Sequence, residues 1–229
     1  MKTLGVLGGM SWTSTAEYYR LLNEGVAARR GGLHSAPLLL HSVDFAEVAR
    51  LQREDRWEDA GELLAEAARG LERAGAGALL LATNTMHKVA DRIEAAVDVP
   101  LLHIADATGA RLQAAGLARV GLLATAFTME QAFYRERLAH WGVEVTVPNA
   151  RDRAEVHRVI FEELCRNIVR EDSRATYCRV MGDLVGEGAE GIILGCTEIT
   201  LLVGPEDVDI PVFDTTHIHV EAALDWLLA

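Results

Sequence analysis

Apolar positions fall in short runs closed by glycine or polar residues: "TLGVLGG", "APLLLHSVD", "ALLLATN" and "VPLLHIAD". Such runs are the pattern of strands buried on both faces, where inside and outside no longer alternate. Between them lie longer stretches rich in Ala, Leu, Glu and Arg. The clearest is 57–73, "WEDAGELLAEAARGLER", where Leu63, Leu64, Ala67, Ala68 and Leu71 share one helical face and Gly75 and Gly77 follow as terminators. The rhythm of strand, helix, strand predicts an α/β fold with mainly parallel sheets.

The pattern also repeats. An offset of 113 lays "EDAGELLAEAARGLERAGAGALLLATNT" (58–85) on "EDSRATYCRVMGDLVGEGAEGIILGCTE" (171–198), and Thr83 falls on Cys196. An offset of 116 lays "LGVLGG" on "VGLLAT" and Tyr18 on Tyr134, and one of 111 lays "VPLL" on "IPVF". Three similar offsets in one order predict two pseudo-symmetric α/β halves, 1–116 and 117–229, differing by short loop changes. Ligands of open parallel sheets sit beyond the carboxyl ends of the strands. Thr83 and Cys196 are both placed at such ends, so a pseudo-twofold arrangement would aim them into one cleft between the halves.

Composition narrows the partners. Half of the 229 residues are apolar, enough for a sizeable core, and the net charge of −12 speaks against nucleic acid or an anionic membrane surface. A small-molecule substrate fits better. The apolar run near the amino terminus is too short for a signal-peptide core, and none approaches the roughly 20 residues of a membrane helix. Three cysteines without a CxxC pair suggest free thiols and a cytoplasmic setting. Two histidines in "HIH" (217–219) are weak grounds for a metal, and the dinucleotide and P-loop signatures are absent, so no cofactor is expected. Gly8 and Gly9 suggest close approach of backbone to a small substrate. The sequence admits a homodimer without dictating one.

A thiol with a reference pKa of about 8.5 can remove an acidic proton near neutrality, whereas a threonine hydroxyl donates more readily than it accepts. A pair of such groups, one on each face of an acidic carbon, would invert its configuration. Taken alone, Thr83 would serve its own loop and Cys196 would be a buried thiol.

The motifs "GVLGGMSWTST", "HSVDF", "ATNTMHKVAD", "HIADATG", "GLLATAFTM", "VIFEEL" and "GCTEITLLV" span nearly the whole chain, and together they resemble the aspartate/glutamate racemase family. The resemblance implies two α/β domains with a cleft between them and cofactor-independent racemisation of an acidic amino acid by two opposed cysteines. Here Thr83 stands in the place of the first cysteine and Cys196 in that of the second. Family members that act on aspartate tend to carry a lysine after the "EEL"-like segment, where this chain has Cys165 and Arg166. Strand ends and helix N-termini present donors suited to an anion, so the backbone around Gly9, Met10 and Ser11, with Asn84, Thr85, Thr125 and Thr197, is expected to hold the substrate's carboxylate and amino groups. Gln52 and Arg53 are the candidates for the side-chain carboxylate, and Glu198 and His87 for orienting or relaying protons. Selectivity for the L enantiomer is expected on resemblance alone. The competing readings are a related thiol-dependent isomerase or decarboxylase, a non-catalytic sensor of an acidic metabolite, and a pyridoxal enzyme using Lys88. Cys165 and Cys178 are expected to be filler in helical stretches, and "ARDRAEVHRVIFEEL" (150–164) a solvated helix face.

Overall fold

The computed structural model describes residues 1–229. In chain order its strands are β1 (Leu4–Gly8), β2 (Leu38–Ser42), β3 (Ala78–Leu81), β4 (Leu101–Leu102), β5 (Arg119–Ala124), β6 (Glu144–Thr146), β7 (Ile192–Gly195) and β8 (Val212–Asp214). The helices are α1 (Trp12–Arg30), α2 (Phe45–Arg53), α3 (Trp57–Arg73), α4 (Ala90–Glu94), α5 (Ile104–Ala114), α6 (Ala126–Glu130), α7 (Ala132–Ala139), α8 (Ala150–Glu162), α9 (Glu171–Gly186) and α10 (Thr215–Leu228). Two four-stranded parallel sheets result, ordered β2-β1-β3-β4 and β6-β5-β7-β8. The same order in both is the structural form of the sequence repeat.

The chain divides into two compact units, Met1–Ile104 with His219–Ala229, and Ala105–Ile218. In the first unit the strands alternate between two cores. Leu7, Leu79 and Leu81 face one side with residues of α2, α3 and α4, while Leu4, Val6, Ala78 and Leu80 face the other with α1 and α10. Both faces are covered, which explains why the strand runs read as unbroken apolar segments. In α3, Leu64, Ala67, Ala68 and Leu71 are buried as expected, but Leu63 lies at the rim and Ala65 is buried instead. Gly75 ends the helix with φ +99°, a left-handed conformation that a Cβ would oppose.

β2 departs from the expectation of a buried strand. It is a sheet edge on which Leu40, His41 and Ser42 are exposed. β6, also an edge, is three residues long and carries no apolar run, so the apolar pattern did not mark it.

The compact units divide the chain differently from the repeat boundary at 116, because each unit includes the helix that follows the other sheet's last strand. α10 presents Val220, Ala223, Leu224 and Leu227 to the core of the first unit beside Tyr18, Leu22 and Val26 of α1. A Cβ on Gly25 would meet Leu224 at 2.2 Å, so the glycine permits the close crossing of α1 and α10. In the second unit α5 meets α7: Asp106 takes two hydrogen bonds from Arg137, at 2.8 and 2.6 Å, and the Trp141 ring lies on Gly109.

The same offsets relate the buried tyrosines and their neighbours. The offset of 116 equates Tyr18 with Tyr134, and the offset of 111 equates His219 with Thr108. Tyr18 Oη lies 3.0 Å from His219 Nδ1. Tyr134 is fully buried, which pushes its hydroxyl up above the ordinary phenol range, and the nearby Thr108 side chain works against that rise. One tyrosine–helix contact has thus been elaborated with different chemistry in each unit.

Candidate active site

Each sheet has a topological switch point. The chain leaves β1 for β2 on one side and returns to β3 on the other, and β5, β6 and β7 do likewise. In open parallel sheets, loops diverge at such a point and ligands bind outside the carboxyl ends of the two central strands. The first sheet places Gly9–Ser11 (after β1) and Thr83–Thr85 (after β3) at this point; the second places Thr125 (after β5) and Cys196–Glu198 (after β7).

On the first sheet, Ala82 makes the last bond toward β1, from its N–H to Leu7 O at 2.9 Å. Thr83 N–H then turns back to Leu81 O at 2.8 Å, which takes Thr83 off the strand line before the 3-10 turn Thr85–Val89. Thr83 is partly exposed while Ala82, Asn84 and Thr85 beside it are buried. No hydrogen bond within the chain occupies its hydroxyl, so the reading in which Thr83 serves its own loop does not describe the side chain. The backbone carbonyl of Thr83 accepts from His87 Nδ1 at 2.7 Å.

Glycine is required at position 9 by the protein itself. Its φ is +93°, and a Cβ would stand 2.2 Å from Val43 O. A Cβ on Gly8 would strike Thr15 at 2.5 Å. The close approach expected at these glycines is therefore to neighbouring chain. Gly9 N–H donates to Thr15 Oγ1 at 2.8 Å, Thr15 Oγ1 donates to Ser11 O at 2.9 Å, and Ser11 caps α1. The Met10 side chain points into the core, leaving only its backbone to meet a ligand. Gln52 is buried and its amide donates to Met86 Sδ at 3.0 Å, while Arg53 is exposed.

On the second sheet, Cys196 follows β7 directly and is partly exposed, and the 3-10 turn Thr197–Leu201 comes next. Cys196 Sγ donates to Glu198 Oε2 at 3.0 Å. Burial, the Glu198 charge and the neighbouring Cys165 push the Cys196 thiol well above its ordinary value, so it rests as a thiol. Thr197 Oγ1 accepts from Thr216 at 3.3 Å, and Thr125 caps α6 through Thr128 N–H at 3.4 Å.

Cys165 lies outside the long helices. It lies in the 3-10 turn Leu164–Arg166, which packs against Thr197–Leu201, and burial and the Glu198 charge push its thiol up to about 12. Cys178 lies in α9 beside Asp207. The charged stretch 150–164 forms α8, with Asp152, Val156, Val159 and Ile160 buried beneath its charged surface.

Other candidates are engaged elsewhere. Lys88 Nζ stacks 3.8 Å from the centroid of the Trp57 ring. His217 bonds Asp214 at 2.5 Å, while His219 is buried against Tyr18 and Leu102, so the two histidines of "HIH" serve separate partners.

His87, His103 and His219 form a buried group that sequence reasoning did not assemble. The His87 ring centroid lies 4.5 Å from that of His103 and 5.9 Å from that of His219. Burial lowers the pKa of both His87 and His219, that of His219 to about 4. Their folded pKa values lie below the unfolded value of about 6.5, so between the two the unfolded chain binds more protons. The stability they contribute is complete above about pH 6.5 and is lost as pH falls, with His219 accounting for roughly 3 kcal/mol by about pH 4. Urea denaturation at about pH 7.5 and about pH 5 should show a lower midpoint at the acid value.

No helix is long and apolar enough to cross a membrane. A candidate Asp/Glu racemase from Yersinia pestis matches over the full length of both chains with 54% identity and a TM-score of 0.95. An aspartate racemase homologue from Pyrococcus horikoshii OT3 matches over the same extent with 35% identity and a TM-score of 0.87. The aspartate racemase of Picrophilus torridus, 20% identical over 99% of this chain and 94% of its own, shares the fold with a TM-score of 0.79. The family model for Asp/Glu/Hydantoin racemase matches residues 7–223. A match of that extent settles the family: this chain belongs to the Asp/Glu/Hydantoin racemase family.

Proposed function

We propose that this protein is a cofactor-independent racemase of acidic amino acids, aspartate or glutamate, in which Cys196 and Thr83 act on the two faces of the α-carbon. The observation that carries the reading is the Cys196–Glu198 pair: a partly exposed thiol at the switch point of the second sheet, bonded to a carboxylate at 3.0 Å. A resting thiol is a poor base, but passing its proton to Glu198 produces the thiolate that takes the α-proton. The carbanion formed is delocalised into the substrate carboxylate, where backbone N–H groups and hydroxyls at the strand ends stabilise the growing charge. Protonation by the Thr83 hydroxyl on the other face inverts the centre; solvent water restores that hydroxyl, and the hydroxide left takes the proton held by Glu198. Asn84, Thr85, Thr125 and Thr197 are the proposed contacts for the substrate's amino and carboxylate groups. The buried amide of Gln52 is the proposed contact for the distal carboxylate.

The test is proton NMR of L- and D-aspartate and L- and D-glutamate in deuterated buffer, with protein first dialysed against chelator. Loss of an α-proton signal is the expected result. If none is lost, and pyridoxal phosphate or a divalent metal restores the loss, the cofactor-independent mechanism is overturned.

A further inference from the structure

We propose that His87 is a positioning residue for Thr83, fixing the backbone that carries the Thr83 hydroxyl through one neutral tautomer of its ring. The inference rests on the racemase reading above and deepens it.

The ring nitrogens have different partners. His87 Nε2 lies 3.2 Å from the backbone N–H of Ile104, a group that can only donate, so Nε2 is the bare nitrogen. Nδ1 must then carry the proton, and it donates to Thr83 O at 2.7 Å. The ring is buried, and the rings of His103 and His219 face it, each of which disfavours a charge on His87. A second proton on the ring would also leave Ile104 N–H without its acceptor. Both nitrogens are spent on backbone, so the ring has no free site for relaying protons to the Thr83 hydroxyl.

His219 makes the matching arrangement one residue pair away. Its Nε2 donates to Leu102 O at 2.7 Å, and Nδ1 therefore accepts from Tyr18 Oη at 3.0 Å. Two neutral histidines hold the end of β4 at Leu102 and at Ile104, and His87 extends that hold to Thr83. Thr83 has left the ladder after its turn to Leu81, so its carbonyl has only the imidazole as a fixed partner. Freeing that carbonyl lets the peptide rotate and moves the hydroxyl away from the reacting carbon.

Two substitutions separate positioning from simple stapling. His87→Gln places an amide oxygen where Nε2 accepts from Ile104 and loses the donor to Thr83 O. His87→Asn keeps a donor near Nδ1 and loses the acceptor. Net inversion needs Thr83, whereas exchange of the L α-proton needs Cys196. In His87→Gln the ratio of inversion to L exchange should fall about tenfold or more, and in His87→Asn it should stay within about twofold of the parent. An unchanged ratio in His87→Gln, or equal losses of both rates in both variants, would overturn the proposal. Ring 15N NMR of the parent protein near neutral pH should show His87 neutral and protonated at Nδ1; an Nε2–H ring or a charged ring also overturns it. If no acidic amino acid exchanges at all, the racemase reading fails, and amide hydrogen exchange still decides the present claim. The Thr83 amide should then exchange about tenfold faster in His87→Gln than in His87→Asn, and equal protection in the two would count against positioning.

Discussion

Cys196→Ala should reduce exchange of the L α-proton by on the order of 10³-fold or more, since it removes the base itself and not a group that tunes it. The fold should survive, because Cys196 is partly exposed and supplies one side-chain hydrogen bond. Circular dichroism and denaturation midpoint serve as controls for folding. The pH dependence of the parent protein follows from the same geometry. A thiol held above its ordinary pKa gains thiolate as pH rises, so exchange should climb through the neutral and alkaline range. Glu198→Gln removes the charge that helps hold the proton on sulfur, and the rising limb should move to lower pH. Full exchange in Cys196→Ala would sink the mechanism.

The part of this site legible in sequence was the part written locally. Thr83 and Cys196 could be placed at strand ends because each closes an apolar run and because one offset superposes the runs. α3 was legible for the same reason, with long, regular periodicity bounded by glycine. The failures have physical causes. β2 carries a run of leucines like a buried strand, but it stands at a sheet edge, and no local pattern reports how many neighbours a strand will have. Cys165 resembles any helical cysteine until the turn Leu164–Arg166 is laid against Thr197–Leu201, a contact between segments far apart in the chain. The histidine group is hidden similarly. His87 and His103 lie in quoted motifs, but His219 reaches them only because α10 packs in the first unit. The equivalence of Tyr18 with Tyr134 was visible in sequence. Their neighbours His219 and Thr108 were not, because the two positions carry different residue types.

Thr83→Cys should raise both exchange of the D α-proton and net inversion, by about tenfold or more, while leaving exchange of the L α-proton nearly unchanged. The reasoning turns on the asymmetry of the pair. The enantiomer that presents its α-proton to Cys196 meets a thiol with an adjacent carboxylate, and on the family resemblance alone we propose that this enantiomer is L. Its mirror image presents the proton to Thr83, whose hydroxyl is a far weaker acid than a thiol, so the alkoxide needed to accept that proton is scarcely populated near neutrality. Thermodynamics limits how the difference can appear. The equilibrium constant of racemisation is one, so net conversion must have equal kcat/KM in the two directions, and no enzyme can invert L faster than D by that measure. The selectivity therefore has to show in isotope exchange: rapid wash-out of the L α-proton, slow net inversion, and little wash-out of D. A cysteine at position 83 supplies a second competent base on the partly exposed strand end where the threonine hydroxyl now has no partner. Exchange and inversion are followed together by proton NMR and by chiral chromatography of the same reaction. Equal wash-out of L and D by the parent protein, or no gain in Thr83→Cys, would show that the pairing of threonine with cysteine does not govern the chemistry.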